Sequence, residues 1–374
     1  MKGVDIIKFA KAINFIPFSF LLWDIMILFA QMKFTLKRLF IFFGLILLVA
    51  LALNYKLVGY GLAQAKGQMK VLWHAKPIAE VMADRQFPDS LKAKLMLVQE
   101  IKQFAIDSLG LKENDNYTTV YDQQGKEILW VVTACAPYAF EPLMHSFPLI
   151  GSFTYKGFFD HQKSVDLAKS LKKQGYDVEM RSVSGWSTLG WFSDPILSNM
   201  LADEPGDLAS TIIHELTHGT IFIPDSMTFN ENLATFIGNK GALNFLQEKY
   251  GATSEEYLNY EIRKEDAQLF TRYIVHAGKQ LDSLYQSIIN QNDAIKEKQK
   301  LLFIDKIIAG MDSLNFKNKQ RFGGYFNNYR PNNAYFISFL NYREKQQDFE
   351  IMLQDSSDNK ISSFIAYWKL NFEK

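Results

Sequence analysis

His214-Glu215-Leu216-Thr217-His218, followed by Asn230-Glu231-Asn232-Leu233-Ala234, is the stretch whose reading decides the fold. On a helix, residues four apart share a face, so His214 and His218 turn their imidazoles toward one point. Glu215, about 100° round the helix from His214, reaches a water there without joining the ligands. Two imidazoles leave a metal site incomplete, so a third protein ligand is required. The first suitable one downstream is Glu231, beyond a turn at Pro224-Asp225. The spacing predicts His214, His218 and Glu231 around a Zn²⁺ ion, with Glu215 as general base. The competing reading, a helix with two surface histidines, leaves the Asn-Glu helix unexplained.

The flanking residues predict two consecutive helices. Leu208, Ile212 and Leu216, with Thr211 and Ile213 beside them, give the first an apolar side, and Asp207 or the run Asp203-Glu204-Pro205 is placed to cap its start. Gly219 predicts a close approach by another backbone. In the second helix Asp225 is the expected N-cap, and Phe229, Leu233, Phe236 and Ile237 recur on one face. Glu231, Thr235 and Gly238 then share another face, small-sided beside the glutamate, as a helix lying against the metal helix requires.

Composition bounds the rest. A chain of 374 residues, 48% hydrophobic, buries one large core or two modest ones, and a net charge of +1 offers nothing to draw it to nucleic acid. The one cysteine, Cys135, has no partner for an internal disulfide. Its setting, Trp130 to Ala136, reads as a buried strand, with the thiol a small core residue rather than a nucleophile.

Leu39 to Leu53 is apolar throughout except for Gly44, and it follows Lys33, Lys37 and Arg38. That pattern predicts a transmembrane signal-anchor over residues 36–58, completed by Leu36 at one end and snorkelling Lys56 at the other. The positive charges before it favour an inside N-terminus and an outside catalytic domain, which places the protein at a bacterial membrane with residues 59–374 periplasmic. With no small-x-small cleavage site, a retained single-pass anchor is preferred over a removed signal peptide. Residues 1–35 form a cytoplasmic or extra hydrophobic segment: Phe15 to Ala30, broken by Pro17 and Asp24, is a marginal second span or lies upstream of a start at Met32.

After the anchor, residues 62–110 read as helical, with Leu91, Leu95, Val98, Ile101, Phe104 and Ala105 on one face and Gly110 at the end. Strand-like runs fall in 117–160 and 176–192, notably Glu127 to Ala134 and Gly151 to Phe159, with a short helix from Gln162 to Gly175 between them. Beyond the metal helices, Leu258, Ile262, Leu269, Tyr273, Leu281, Leu284 and Ile288 keep a helical stripe, with His276 at its edge as a core or interface histidine. The expected class is α+β: a small sheet, two metal-binding helices in the middle, and a helical C-terminal part closing the cleft.

Beyond these residues, the chain resembles a bacterial family named for aminopeptidase activity, zincins of the glutamate-ligand type. The resemblance runs from about Tyr60 to about Leu353, through Gly61 to Gln68, Phe147-Pro148, Gly151 to Phe159, Ser187 to Pro195, His214 to His218, Phe229-Asn230-Glu231 and Asn332-Asn333-Ala334. It implies a zincin-like fold, and its metal and catalytic residues carry over onto His214, Glu215, His218 and Glu231. Many members have a cysteine where Ser152 stands and a lipid-anchor cysteine near the N-terminus. This chain has neither; the first difference puts a local pairing in question, and the second changes the mode of membrane attachment.

Two neutral imidazoles and one carboxylate leave a zinc ion net positive with an open position, so a bound water becomes acidic enough to attack a peptide carbonyl near neutral pH. The developing oxyanion needs a second donor, for which Tyr155 and Tyr342 are candidates alongside plain aromatic packing. In zincins an upstream strand pairs with the substrate; Gly151 to Phe159 or Asp177 to Ser184 is placed to serve. Three readings follow: a membrane-anchored zinc aminopeptidase or small-peptide hydrolase, an anchored envelope endopeptidase, and a non-catalytic binding scaffold, against which the retained Glu215 weighs. An exopeptidase further needs a carboxylate for the substrate amine; Glu141, Asp160 and Asp194 lie in or near the motifs but read first as solvated surface acids. Oligomeric state is left open by the sequence.

Overall fold

The polar Asn54 interrupts the apolar run, and its side-chain amide donates to the Ala50 carbonyl at 2.8 Å, a local bond that competes with regular helix. The run accordingly forms two helices, α1 (Leu36–Leu53) and α2 (Tyr55–His74). In this computed structural model the described residues are 36–147, 151–183, 193–224, 226–342, 346–356 and 358–372. The chain divides into two units, Met1–Ala63 and Gln64–Lys374. In the first, α1 exposes Phe40, Phe43, Leu47, Leu48 and Leu53. No single described helix is long and apolar enough to cross a membrane, and α1 and α2 meet that test only together, as a bent pair. The expectations for residues 1–35 lie outside the described residues.

The second unit is mixed α and β, mostly helical with small sheets. The stretch 62–110, expected to be helical, holds three helices: α2, α3 (Ile78–Ala83) and α4 (Asp89–Asp107). Pro77 and Pro88 stand immediately before α3 and α4, and each keeps its preceding residue out of helical conformation. Lys76–Pro77 forms the short strand β1 instead. The expected face of α4 is buried at Leu95, Val98, Ile101, Phe104 and Ala105.

Strand β2 (Thr119–Tyr121) pairs antiparallel with β1 and parallel with β8 (Ile196–Leu197). Between them in sequence, β3 (Trp130–Cys135) is the centre of an antiparallel sheet flanked by β6 (Tyr155–Phe158) and β7 (Asp177–Ser182). The run Gly151 to Phe159 is two strands rather than one, because β5 (Gly151–Phe153) turns aside to form a hairpin with β4 (His145–Phe147). In that hairpin Ser152, the position at which a local pairing was in question, shares a hydroxyl hydrogen bond of 2.7 Å with Ser146. Helix α5 (His161–Lys173) is capped by Asp160, which accepts from the Gln162 and Lys163 amides. Its Ser164 hydroxyl reaches Met180, so α5 covers the sheet face bearing Val132 and Met180. The opposite face carries Thr133 with Tyr155 directly across from it on β6 and Glu179 directly across on β7.

A 3₁₀ turn, Ser198–Ala202, leads into α6 (Pro205–Thr220) and α7 (Met227–Tyr250), followed by α8 (Glu255–Ser287), α9 (Asp293–Met311), α10 (Lys319–Phe322), α11 (Asn333–Tyr342), α12 (Gln346–Ser356) and α13 (Ile361–Phe372). The buried face of α8 runs through Phe270, Ile274, Ala277, Leu281 and Tyr285, about one residue round from the stripe expected, and Leu258 is exposed. The aromatic loop 316–330, invisible as a core segment in the sequence, supplies the reason: Phe316, Phe322 and Phe326 pack on α8 and draw that face inward. The C-terminal helices do two jobs. Phe349 of α12 and Phe364 of α13 pack against Phe236 on the outer face of α7. Helix α11 instead lies on the sheet, held by Asn332 and Asn333: the Asn332 amide donates to the Val178 carbonyl at 3.1 Å, and the Asn333 amide donates to Ala136 and Pro137 carbonyls while its oxygen accepts from Tyr285. The Asn332-Asn333-Ala334 motif is thus a polar buckle between α11 and the sheet.

Candidate metal centre

Helix α6 begins without a side-chain cap: Pro205 occupies its first turn, where no amide is needed, and the position before it is Glu204. Asp207, expected as a cap, instead pairs with Arg263 of α8 at 3.1 Å. Leu208, Ile212, Ile213 and Leu216 are fully buried, which fixes the rotation of α6 and leaves His214 and Glu215 half-buried, with His214 on the side toward α7. Gly219 makes room for the Asn114 side-chain amide, 2.9 Å from where a Cβ would stand, and not for a backbone.

The second helix approaches closely because its facing side is small. A Cβ on Gly238 would stand 2.7 Å from the Ser210 carbonyl oxygen and 3.2 Å from the His214 Cβ. One turn before it, the Thr235 hydroxyl lies 3.4 Å from His214 Nδ1, the ring nitrogen turned away from His218. Asp225, the expected cap of α7, lies outside the described residues, and Ser226 stands at the N-cap position without a side-chain bond. Asn230 holds the turn itself. Its amide donates to the Ile223 carbonyl at 2.8 Å and its oxygen accepts from the Ile223 amide at 3.0 Å.

These constraints bring His214, His218 and Glu231 together, with one ligand atom from each within 4.8 Å of the others. His214 Nε2 and His218 Nε2 are 3.1 Å apart, His218 Nε2 is 3.3 Å from Glu231 Oε1, and His214 Nε2 is 3.6 Å from Glu231 Oε2. Ligands about 2.0–2.1 Å from a tetrahedral ion stand roughly 3.3 Å from one another, so the triangle has the dimensions such an ion requires. Burial alone would raise the Glu231 carboxyl, but hydrogen bonds to His214 and His218, and their charge, outweigh it and hold it well below the usual carboxylate range. Glu215 follows His214 directly, and its Oε2 is buried with no hydrogen-bond partner among the described residues. A buried, orphaned carboxylate oxygen costs free energy unless something comes to meet it.

Over residues 59–371 the chain matches a family described as "Putative aminopeptidase". The chain belongs to that family. The family's description points to peptide hydrolysis. No curated protein and no solved structure gives a match.

In this member of the family Tyr155, on β6, lies within the field of the centre: burial first, and then the Glu231 charge, push its phenol up. Tyr342 ends α11, and its side chain lies outside the described residues. Sequence reasoning missed Tyr117. This side chain is 2% exposed, and its phenol is pushed up by burial and by the charges of Glu215 and Asp194. Its φ of 62° is left-handed, a strained conformation for an aromatic residue, held by its backbone N–H donating to the Asp194 carbonyl at 2.7 Å and by the Gln99 side-chain amide donating to the Tyr117 carbonyl at 2.8 Å. Only the paired turn residues Asn114 and Asn116 hinted at that loop.

The other sequence candidates fall elsewhere. Asp160 is spent as the cap of α5, Glu141 is exposed, and Asp194, read as a surface acid, is 1% exposed. His276 is exposed on α8 rather than in a core. Cys135 is fully buried, its thiol donates to the Ala139 carbonyl, and burial pushes it up to about 12, so it is a core residue. Ser187 to Phe192 lie outside the described residues.

Proposed function

We propose that this protein is a zinc-dependent peptidase of the zincin type, acting as an aminopeptidase or small-peptide hydrolase. The observation that supports it is the convergence of His214, His218 and Glu231, with an oxygen of the adjoining Glu215 buried and unpartnered among the described residues. When bound, Zn²⁺ would supply Lewis acidity, lowering the pKa of a coordinated water to about 7. His214 and His218 would bind through Nε2 and Glu231 through its carboxylate, with the Thr235 hydroxyl steadying the His214 ring through Nδ1. Glu215 takes the attacking water's proton at Oε2 and passes it to the leaving amine. Tyr155 donates its phenolic proton in a hydrogen bond to the oxyanion, a role for which a neutral, raised phenol is suited. Strand β6, at the edge of its sheet, offers the substrate a strand to pair with. The apolar, exposed α1 anchors the chain in a bacterial membrane, with the catalytic part outside the cytoplasm.

The test is Glu215→Gln on the full chain in detergent. The variant is expected to retain zinc and its melting temperature while losing hydrolysis by about 10²-fold or more. A peptide library with free or acetylated N-termini reports the mode: release of single residues from free termini marks an aminopeptidase, and internal cuts indifferent to acetylation mark an endopeptidase. Full activity in the variant would remove Glu215 from the reaction.

A further inference from the structure

The face of the sheet that bears Tyr155 carries a second acidic position. Along β7, Asp177, Glu179 and Arg181 share that face, because alternate residues of a strand point the same way. Asp177 is fully matched: Lys300, itself buried, donates to it at 2.6 Å, and the Asn333 backbone N–H donates at 2.8 Å. Glu179 is not. It is half-buried, it accepts a hydrogen bond from the Tyr329 hydroxyl, and among the described residues no Lys or Arg forms an ion pair with it. Arg181 is exposed, and it and Lys172 act on Glu179 only from a distance. Burial pushes the Glu179 carboxyl up, against the hydrogen bond from Tyr329. Beside it stands an aromatic wall, with the Tyr329 ring 5.7 Å from that of Tyr335 and 6.3 Å from that of Phe326. A carboxylate short of a cation, next to tyrosine rings, is the chemistry that recognises an ammonium or guanidinium group.

The register says where that group would sit. Thr133 is directly opposite Tyr155 on one side and directly opposite Glu179 on the other, so Glu179 is two strands, roughly 10 Å, from the Tyr155 position, across a small side chain. That is about three residues of extended peptide, or one residue plus the reach of a long side chain. We infer that Glu179, beside Tyr329 and Tyr335 and on the Tyr155 face of the sheet, receives a cationic group of the peptide substrate, either a Lys or Arg side chain or a free N-terminus. This inference rests on the peptidase reading for its substrate class.

The test uses the zinc-loaded full chain in detergent and three peptides of one sequence: lysine-bearing with a free N-terminus, norleucine in place of lysine, and lysine-bearing with an acetylated N-terminus. The ratio of kcat/KM for the cationic peptide over its neutral counterpart is expected to fall about tenfold in Glu179→Gln, the size of one charged hydrogen bond. Loss of the preference on norleucine substitution identifies the side chain as the source, and loss on acetylation identifies the N-terminus. The same peptides are titrated calorimetrically into Glu215→Gln and into Glu215→Gln/Glu179→Gln, where the same tenfold fall is expected without turnover. If wild type cuts no peptide, the peptidase reading fails while this binding comparison still decides the role of Glu179. Should Glu179→Gln not fold, Thr133→Lys supplies an ammonium directly across from Glu179 and is expected to abolish the preference. A cationic preference that survives these substitutions, its absence from wild type, or a lowered melting temperature with the ratio intact would overturn the inference and leave Glu179 a tether for the 323–331 loop.

Discussion

Gly238→Ala tests how tightly the two site helices must pack. The added methyl would stand 2.7 Å from the Ser210 carbonyl oxygen, against an ordinary contact of about 3.4 Å, and a backbone carbonyl inside a helix cannot rotate away. Alanine in place of glycine favours the helix by about 1 kcal/mol, while forcing a methyl into a packed contact costs about 1–3 kcal/mol. The balance is a destabilisation of about 0–2 kcal/mol, at most a drop of a few degrees in melting temperature. The sharper effect is expected in zinc affinity. Glu231 lies two turns earlier on the same face as Gly238, so separating the helices by roughly half an ångström withdraws it from the histidines by more than the ~0.2 Å that a metal site tolerates. Zinc affinity should fall about ten- to a hundredfold in competition against a chromophoric chelator. Gly241→Ala is the control. Its methyl would meet the Leu109 and Ile213 side-chain ends at 2.8 and 3.0 Å, which can turn aside, and its zinc affinity should match wild type. A Gly238→Ala protein that melts higher and binds zinc as before would refute the packing argument.

Glu231→Ala should lower zinc affinity at least tenfold by the same competition assay, and unchanged affinity would move the third ligand to another residue, Asp225 first. Burial pushes the Cys135 thiol from its ordinary value of 9.0 up to about 12, so the folded state disfavours the thiolate; its contribution to stability is complete below pH 9 and is lost between pH 9 and 12. Cys135→Ala should therefore flatten the alkaline limb of a stability-against-pH profile over that window, and native wild type at pH 8 should resist alkylation until denatured. A reporter fused after Gly67 should be active only as an exported enzyme, and a cytoplasmic reporter signal would reverse the membrane topology.

What the sequence disclosed and what it concealed divide along the range of the interaction. His214, His218 and Glu231, the small face of Thr235 and Gly238, and the buried face of α4 all follow from helical period, a property of adjacent turns. The corrections arise where a distant segment decides. Asp207 is claimed by Arg263, Gly219 by Asn114, and the inward face of α8 by the aromatic loop 316–330. Tyr117 and Glu179 were invisible for the same reason: one is defined by a loop brought to Glu215, the other by a register across three strands. Proline explains the division of 62–110 in local terms, and reading Pro77 and Pro88 as breaks would have found it.

The buckle at Asn333 bears on the order in which the molecule is assembled. Its hydrogen bond to the Ala136 carbonyl spans 197 positions, whereas the histidine and glutamate ligands lie within a single helical hairpin. A chain emerging from the N-terminus can pack α6 on α7 as soon as both exist, but α11 cannot be fastened to the sheet until nearly all of the polypeptide has appeared. The pairing of α6 with α7 is thus an early, local event and the closing of the sheet a late one. During synthesis there is an interval in which His214, His218 and Glu231 can be brought together while the surface bearing Tyr155 and Glu179 still lacks its final neighbours.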